Sequence, residues 1–174
     1  MTNKSSLDAI KALREKTSAS IGDVRKALED AGGDAKKAEE FLRQRGATIA
    51  EKRQGRATGQ GRVESYIHHD GRIGSLVEVD CETDFVARTQ EFQQFCRDLA
   101  MHVAWTDPRY VRPEDAPADE RSHPDALKAV CLLEQPFVKD QGTTVQDLLK
   151  ALIVKTGENV VIKRFVRFGV GESA

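Results

Sequence analysis

Residue types able to do chemistry are few in this chain, and they are scattered. His68 and His69 stand side by side just before Asp70-Gly71. Imidazoles are common metal ligands. Neighbouring side chains of a strand leave on opposite faces, however, so two exposed hairpin histidines are expected here and not a metal pair. Cys81, Cys96 and Cys131 are odd in number, widely spaced and without a C-x-x-C pair. That pattern supports neither a zinc ribbon nor a dithiol redox centre. A cysteine nucleophile would need Cys81 or Cys131 beside His102 or His123, and the spacing gives no reason for that. Buried structural thiols are the expected outcome. Gly55, Gly59 and Gly61 lie close together, but no strand precedes them as a phosphate-binding loop requires. No catalytic residue, metal site or cofactor is expected, and the chain is not expected to be an enzyme.

One grouping stands out. Thr83-Asp84-Phe85-Val86 places an aromatic beside an acid in a short connection between a strand and a helix. Pattern alone favours Phe85 tucked under the following helix, since most phenylalanines are buried. The alternative is an exposed aromatic on a rigid turn, the kind of residue that anchors an interface.

The elements around this grouping are legible. Three short helices come first. Ser6 can cap the first, which carries Leu7, Ile10 and Leu13 on one stripe. Ser20 and Asp23 have capping-box spacing for the second, with Val24, Ala27 and Leu28 inward. Gly32-Gly33 ends it. Asp34 can cap the third, with Ala38, Phe41 and Leu42 on one face and Gly46 closing it. Residues 47–62 mix Lys52, Arg53, Arg56 and Arg62 with glycines and read as a basic, flexible linker, begun in part by a continuation of the third helix.

A hairpin follows, turning at Asp70-Gly71. Its return strand runs from Ile73 to Cys81, with Ile73, Val77, Val79 and Cys81 on one face and Leu76 on the other. Thr89 can cap a helix whose stripe is Phe92, Phe95, Leu99 and Val103. Residues 107–125 hold four of the five prolines and form an exposed loop. A short helix is expected over residues 127–134, then an extended turn over residues 135–140. Thr144 and Asp147 cap a last helix carrying Leu148, Leu149, Leu152 and Ile153, which Gly157 ends. A final strand spans residues 159–168. The expected fold class is α+β: a three-helix domain over residues 1–46, a linker over 47–62, and a core over 63–174 of about three antiparallel strands with helices on one face.

Composition agrees with a globular chain. It is 39% hydrophobic and 32% charged, with net charge -1. Residues 1–62 carry 14 Lys/Arg against 9 Asp/Glu, and residues 63–174 carry 13 against 19. A basic excess this small points to an acidic protein partner before nucleic acid, so no direct nucleic-acid contact is expected. The start lacks the apolar core of a signal peptide, and no apolar run is long enough to span a bilayer. Reduced thiols suit a cytoplasmic location without membrane contact.

Three blocks carry a family resemblance. The first is Leu13-Arg14-Glu15-Lys16-Thr17 through Asp23-Val24-Arg25-Lys26-Ala27-Leu28, with Gly33-Asp34 and Arg45-Gly46. The second, the most specific, is Val77-Glu78-Val79-Asp80-Cys81-Glu82-Thr83-Asp84-Phe85-Val86-Ala87. The third is Glu134-Gln135-Pro136-Phe137-Val138-Lys139-Asp140, with Gly157-Glu158-Asn159-Val160 and Arg164-Phe165-Val166-Arg167-Phe168. In this order the blocks resemble bacterial elongation factor Ts in a short form. The resemblance implies a guanine-nucleotide exchange factor for elongation factor Tu, acting in translation elongation. It implies a ubiquitin-associated-like first domain that docks through Asp23, Val24, Arg25, Lys26 and Leu28. It implies that Thr83, Asp84, Phe85 and Val86 enter the GTPase domain and disturb its Mg²⁺ site, which reverses the pattern-based placing of Phe85. Short members can pair two copies, so a homodimer through the core is expected.

Two departures mark this chain. Thr17-Ser18-Ala19-Ser20-Ile21-Gly22 replaces the family's usual Thr-Gly-Ala-Gly-Met-Met, which alters the docking surface. The region from about Asp115 to Lys128 is shorter than usual, which leaves no room for the second subdomain or helical hairpin of long forms. The competing class is a binding module for ubiquitin-like proteins or a nascent chain, with a basic linker against RNA.

Overall fold

The computed structural model describes residues 4–17 and 19–172. The chain divides into two compact units, one comprising residues up to Arg56 with Lys150–Asn159, the other residues 57–149 and those from Val160 onward.

The first unit contains helices α1 (Lys4–Thr17), α2 (Ile21–Asp30) and α3 (Ala35–Arg53). Each boundary has a local cause. The Ser20 hydroxyl accepts the Asp23 amide at 3.1 Å and caps α2. Gly33 takes a left-handed φ of 87°, and its amide reaches back to Leu28 O at 2.8 Å, which ends α2. The Asp34 carboxylate accepts the amides of Lys36 and Lys37 and caps α3. Those amide bonds hold its pKa below the ordinary value. Leu13, Ala19, Val24, Ala27, Ala38 and Leu42 form the core of the three helices.

Several details depart from the sequence expectation. Helix α1 begins at Lys4, so Ser6 lies inside it and not at its cap. Leu7 and Phe41 are exposed, because three short helices enclose only a narrow seam. Helix α3 continues through Gly46 to Arg53, since one interior glycine costs only about 1 kcal/mol. Strand β1 starts at Gln60, so residues 54–59 are all that lies between the two elements.

The second unit is built on a three-stranded antiparallel sheet, β1 (Gln60–Ile67), β2 (Ile73–Cys81) and β5 (Val160–Gly169), in the order β1-β2-β5. Gly71 at φ 68° makes the β1–β2 turn. Val77, Val79 and Cys81 of β2 are buried and Leu76 is exposed, as alternation predicts. One face is covered by α5 (Gln90–Thr106), which is capped by Thr89 and buries Phe92, Cys96, Leu99, Ala100 and Val103. The buried Ser75 hydroxyl donates to Ala100 O of that helix at 2.6 Å.

Strand β5 contains a bulge that period-two reading misses. Val79 pairs with Ile162 and Val77 with Phe165, so Lys163 is the extra residue. The side-chain phase flips there. Val160 and Ile162 are buried, whereas Val166 and Phe168 face out, opposite Leu76 and Gly74. An added Cβ at Gly74 would meet Ile67 Cδ1 at 2.6 Å, so glycine lets Ile67 lie across the sheet.

The chain from residue 107 to 145 is mostly irregular. It includes short helices α6 (Ala118–Arg121) and α7 (Pro124–Val130), and a two-stranded ribbon of β3 (Pro136–Phe137) and β4 (Asp140–Thr144). The ribbon stands where an extended turn is expected. Helix α8 (Val145–Thr156) has reciprocal Thr144–Asp147 capping bonds, and Gly157 at φ 73° ends it. The fold is α+β, with α5 set against the three-stranded sheet. Among the described residues, no helix is long and apolar enough to cross a membrane.

Candidate functional site

The turn after β2 places the predicted residues one by one. Strand β2 ends at Cys81, and one helical turn, α4 (Asp84–Ala87), follows before α5. The Thr83 hydroxyl accepts the Val86 amide, and the Thr89 hydroxyl donates to Val86 O at 2.8 Å. Thr89 also accepts the Phe92 amide, so one side chain closes α4 and opens α5. The Cys81 thiol donates to Thr83 O at 3.1 Å. Bonds on both sides therefore fix a turn that is only four residues long.

Within that turn the side chains diverge. Val86 is 9% exposed and packs inward, whereas Phe85 is 80% exposed. The pattern-based placing of Phe85 under the next helix is thus corrected. Adjacent residues of a helix leave its axis about 100° apart, and on this single turn Val86 takes the core-facing direction. Exposing a whole phenyl ring to water is unfavourable by about 1.5–3 kcal/mol relative to burying it.

Asp84 forms an ion pair with Arg88 at 2.9 Å, four residues on. The pair is largely exposed and stabilises little by itself, but it holds the carboxylate beside Phe85. The sequence reading missed Arg88, although i,i+4 spacing of an acid and a base was a usable signal.

The predicted N-terminal surface divides. Arg25 and Lys26 are exposed on α2. Asp23 pairs with Arg45 at 2.8 Å. Leu28 is half-buried against the three-helix core. Val24 is fully buried, which corrects its assignment as a contact residue: it can hold the helix but cannot reach a partner.

The remaining candidates settle as follows. Cys81, Cys96 and Cys131 are buried thiols. Burial pushes Cys96 up to about 12 and raises Cys131 as well, which removes thiolate character. His102 is fully buried. Its Nε2 meets Gln135 Oε1 at 3.0 Å and its Nδ1 accepts the Val138 amide at 3.2 Å, so the ring is the neutral Nε2–H tautomer. Burial lowers its pKa. His68 and His69 do not point apart. Strand β1 ends at Ile67, so both lie in the turn, where alternation no longer applies, and their rings stand edge to face with centroids 4.3 Å apart.

Comparison with known proteins places these blocks in one family. The family model described as "Elongation factor TS" matches residues 5–125 and 124–172. The two matches meet in the shortened loop. A relative named elongation factor Ts from Carboxydothermus hydrogenoformans is 48% identical over 94% of this chain and 88% of its own length. One from Rubrobacter xylanophilus is 46% identical over 93% and 97%, and one from Thermotoga petrophila is 45% identical over 96% of each. These alignments run to 189–192 positions, longer than the 174 residues present, so the relatives carry residues this chain lacks.

Proposed function

The chain belongs to the elongation factor Ts family, and from that premise we propose that it binds elongation factor Tu and speeds release of GDP by inserting Thr83-Asp84-Phe85-Val86 near the Mg²⁺ site. The observation that carries this reading is Phe85: an apolar ring 80% exposed on a turn pinned by Thr83, Thr89 and Cys81. A rigid exposed aromatic binds with little ordering cost, because its rotamers are few and its backbone is already fixed.

The mechanism needs no covalent step, and no enzyme chemistry or cofactor is proposed for this chain. A GTPase holds its nucleotide through phosphate contacts and a near-octahedral Mg²⁺. Phe85 and Asp84 need not touch GDP. They need only bind the distorted, nucleotide-poor conformation better than the GDP-bound one. By linkage, factor and GDP then weaken each other equally, and incoming GTP displaces the factor by the same coupling. Moving a two-state partner from nearly closed to nearly open takes about 5.5 kcal/mol of differential binding.

The first three helices are proposed as the docking domain, with Arg25 and Lys26 meeting acidic groups and Asp23 and Leu28 shaping the surface. In this reading the linker is the stretch between α3 and β1, residues 54–59. A homodimer through the core is proposed, because Leu76, Val166 and Phe168 with Val63 and Ile67 leave one sheet face apolar and exposed. Action in the cytoplasm follows from this role. The deciding experiment is release of a fluorescent GDP analogue from purified elongation factor Tu, which this protein should accelerate. No acceleration at micromolar concentration refutes the proposal.

A further inference from the structure

We propose that the β1–β2 turn is a binding site for one divalent transition-metal ion, zinc by its ligand chemistry, held by His68, His69 and Asp70. One donor atom from each of the three lies within 4.8 Å of the other two. The backbone that carries them is closed by its own bonds, His68 N to Ile73 O and Gly71 N to His68 O, both 2.8 Å. The site is thus mounted on a fixed turn and does not depend on a mobile loop.

Two of the three donors are also oriented by a neighbour. Tyr66 OH lies 3.0 Å from His68 Nδ1, which leaves Nε2 for a ligand. A metal-ligating imidazole is ordinarily held through its other nitrogen in this way. Asp70 Oδ1 accepts the Arg72 amide at 3.0 Å, which leaves Oδ2 for a ligand. His69 and Asp70 are exposed and His68 is half-buried, so an ion can enter from solvent.

The donor set selects the ion class. Magnesium and calcium take oxygen ligands, whereas two imidazoles and a carboxylate suit zinc and its neighbours. Bond lengths of about 2.0–2.2 Å to a tetrahedral ion bring donor atoms to roughly 3.3 Å of one another. Three protein ligands leave a fourth position for water. The site sits at the opposite end of β2 from Thr83–Val86, so it is independent of the proposed exchange turn.

The test is zinc titration of untagged protein against a chromophoric chelator, using Zn²⁺ alone. Wild type should take up one equivalent with micromolar or tighter affinity. His69→Gln, His68→Gln and Asp70→Asn should each weaken it at least tenfold, and Tyr66→Phe about tenfold through loss of ring orientation. His69→Gln and Asp70→Asn lie on the exposed turn and should leave thermal stability without added zinc unchanged, which separates ligand loss from unfolding. Uptake of less than half an equivalent at 100-fold excess over a micromolar Kd overturns the proposal. So does wild-type affinity in the histidine variants, which would put the ion at the thiols or at His123.

Discussion

Truncating Phe85 to alanine should separate binding from folding. The ring is 80% exposed, so roughly a fifth of its area is buried on folding. Full burial of a phenylalanine is worth about 1.5–3 kcal/mol, so the folded chain should lose about 0.5 kcal/mol or less. The same ring offers the partner four fifths of its area. If it is buried there, the loss is about 2 kcal/mol or more, as for a central interface anchor, or roughly thirtyfold in the stabilised complex. Stimulated GDP release should therefore fall at least about tenfold. Val86→Ala is the counterpart on the adjacent residue. It removes two buried methyl groups and should cost about 2 kcal/mol of stability, several times the loss expected for Phe85→Ala. Stopped-flow release of a fluorescent GDP analogue and a thermal melt on the same samples give both numbers. A large stability loss for Phe85→Ala with normal exchange would refute the reasoning.

Three further outcomes are expected. Replacing exposed Arg25 and Lys26 by glutamate should slow stimulated release more at low salt than at high salt, with the melting temperature unchanged; equal slowing at both salt concentrations speaks against charge steering. His102 is buried neutral with a lowered pKa, so the unfolded chain takes up a proton first as pH falls below about 6.5. Its contribution should be complete above that pH and decline by up to about 1.4 kcal/mol per pH unit below it, and denaturant titrations at pH 7.5 and 5.5 should show a smaller difference in His102→Asn. Light scattering should give a dimer mass at micromolar concentration and a monomer mass for Phe168→Lys, which places a charge on the exposed apolar face.

Local physics made most elements readable. Caps at Ser20, Asp34, Thr89 and Thr144 and glycines at 33, 71 and 157 act through neighbours a few residues away, so the sequence alone located those ends. The same holds for the alternation of Val77, Val79 and Cys81 and for the family blocks. What the sequence left open depends on partners distant along the chain. Whether α3 stops at Gly46 depends on what its last turns pack against, and propensity there is worth only about 1 kcal/mol. The bulge at Lys163 is fixed by pairing with β2, some 85 residues earlier, and it alone decides that Phe168 faces outward. Periodicity turned Val24 inward while the family resemblance placed it on the docking surface, and its enclosure by two other helices keeps it inside. The pairing of His68 with His69 required the chain to leave β1 at Ile67, which follows from the turn closing on Ile73 and not from the alternation of residue types. Phe85 is the clearest case. Composition and period favour burying a phenylalanine, the family resemblance favours exposing it, and the inward packing of Val86 leaves the neighbouring ring outside.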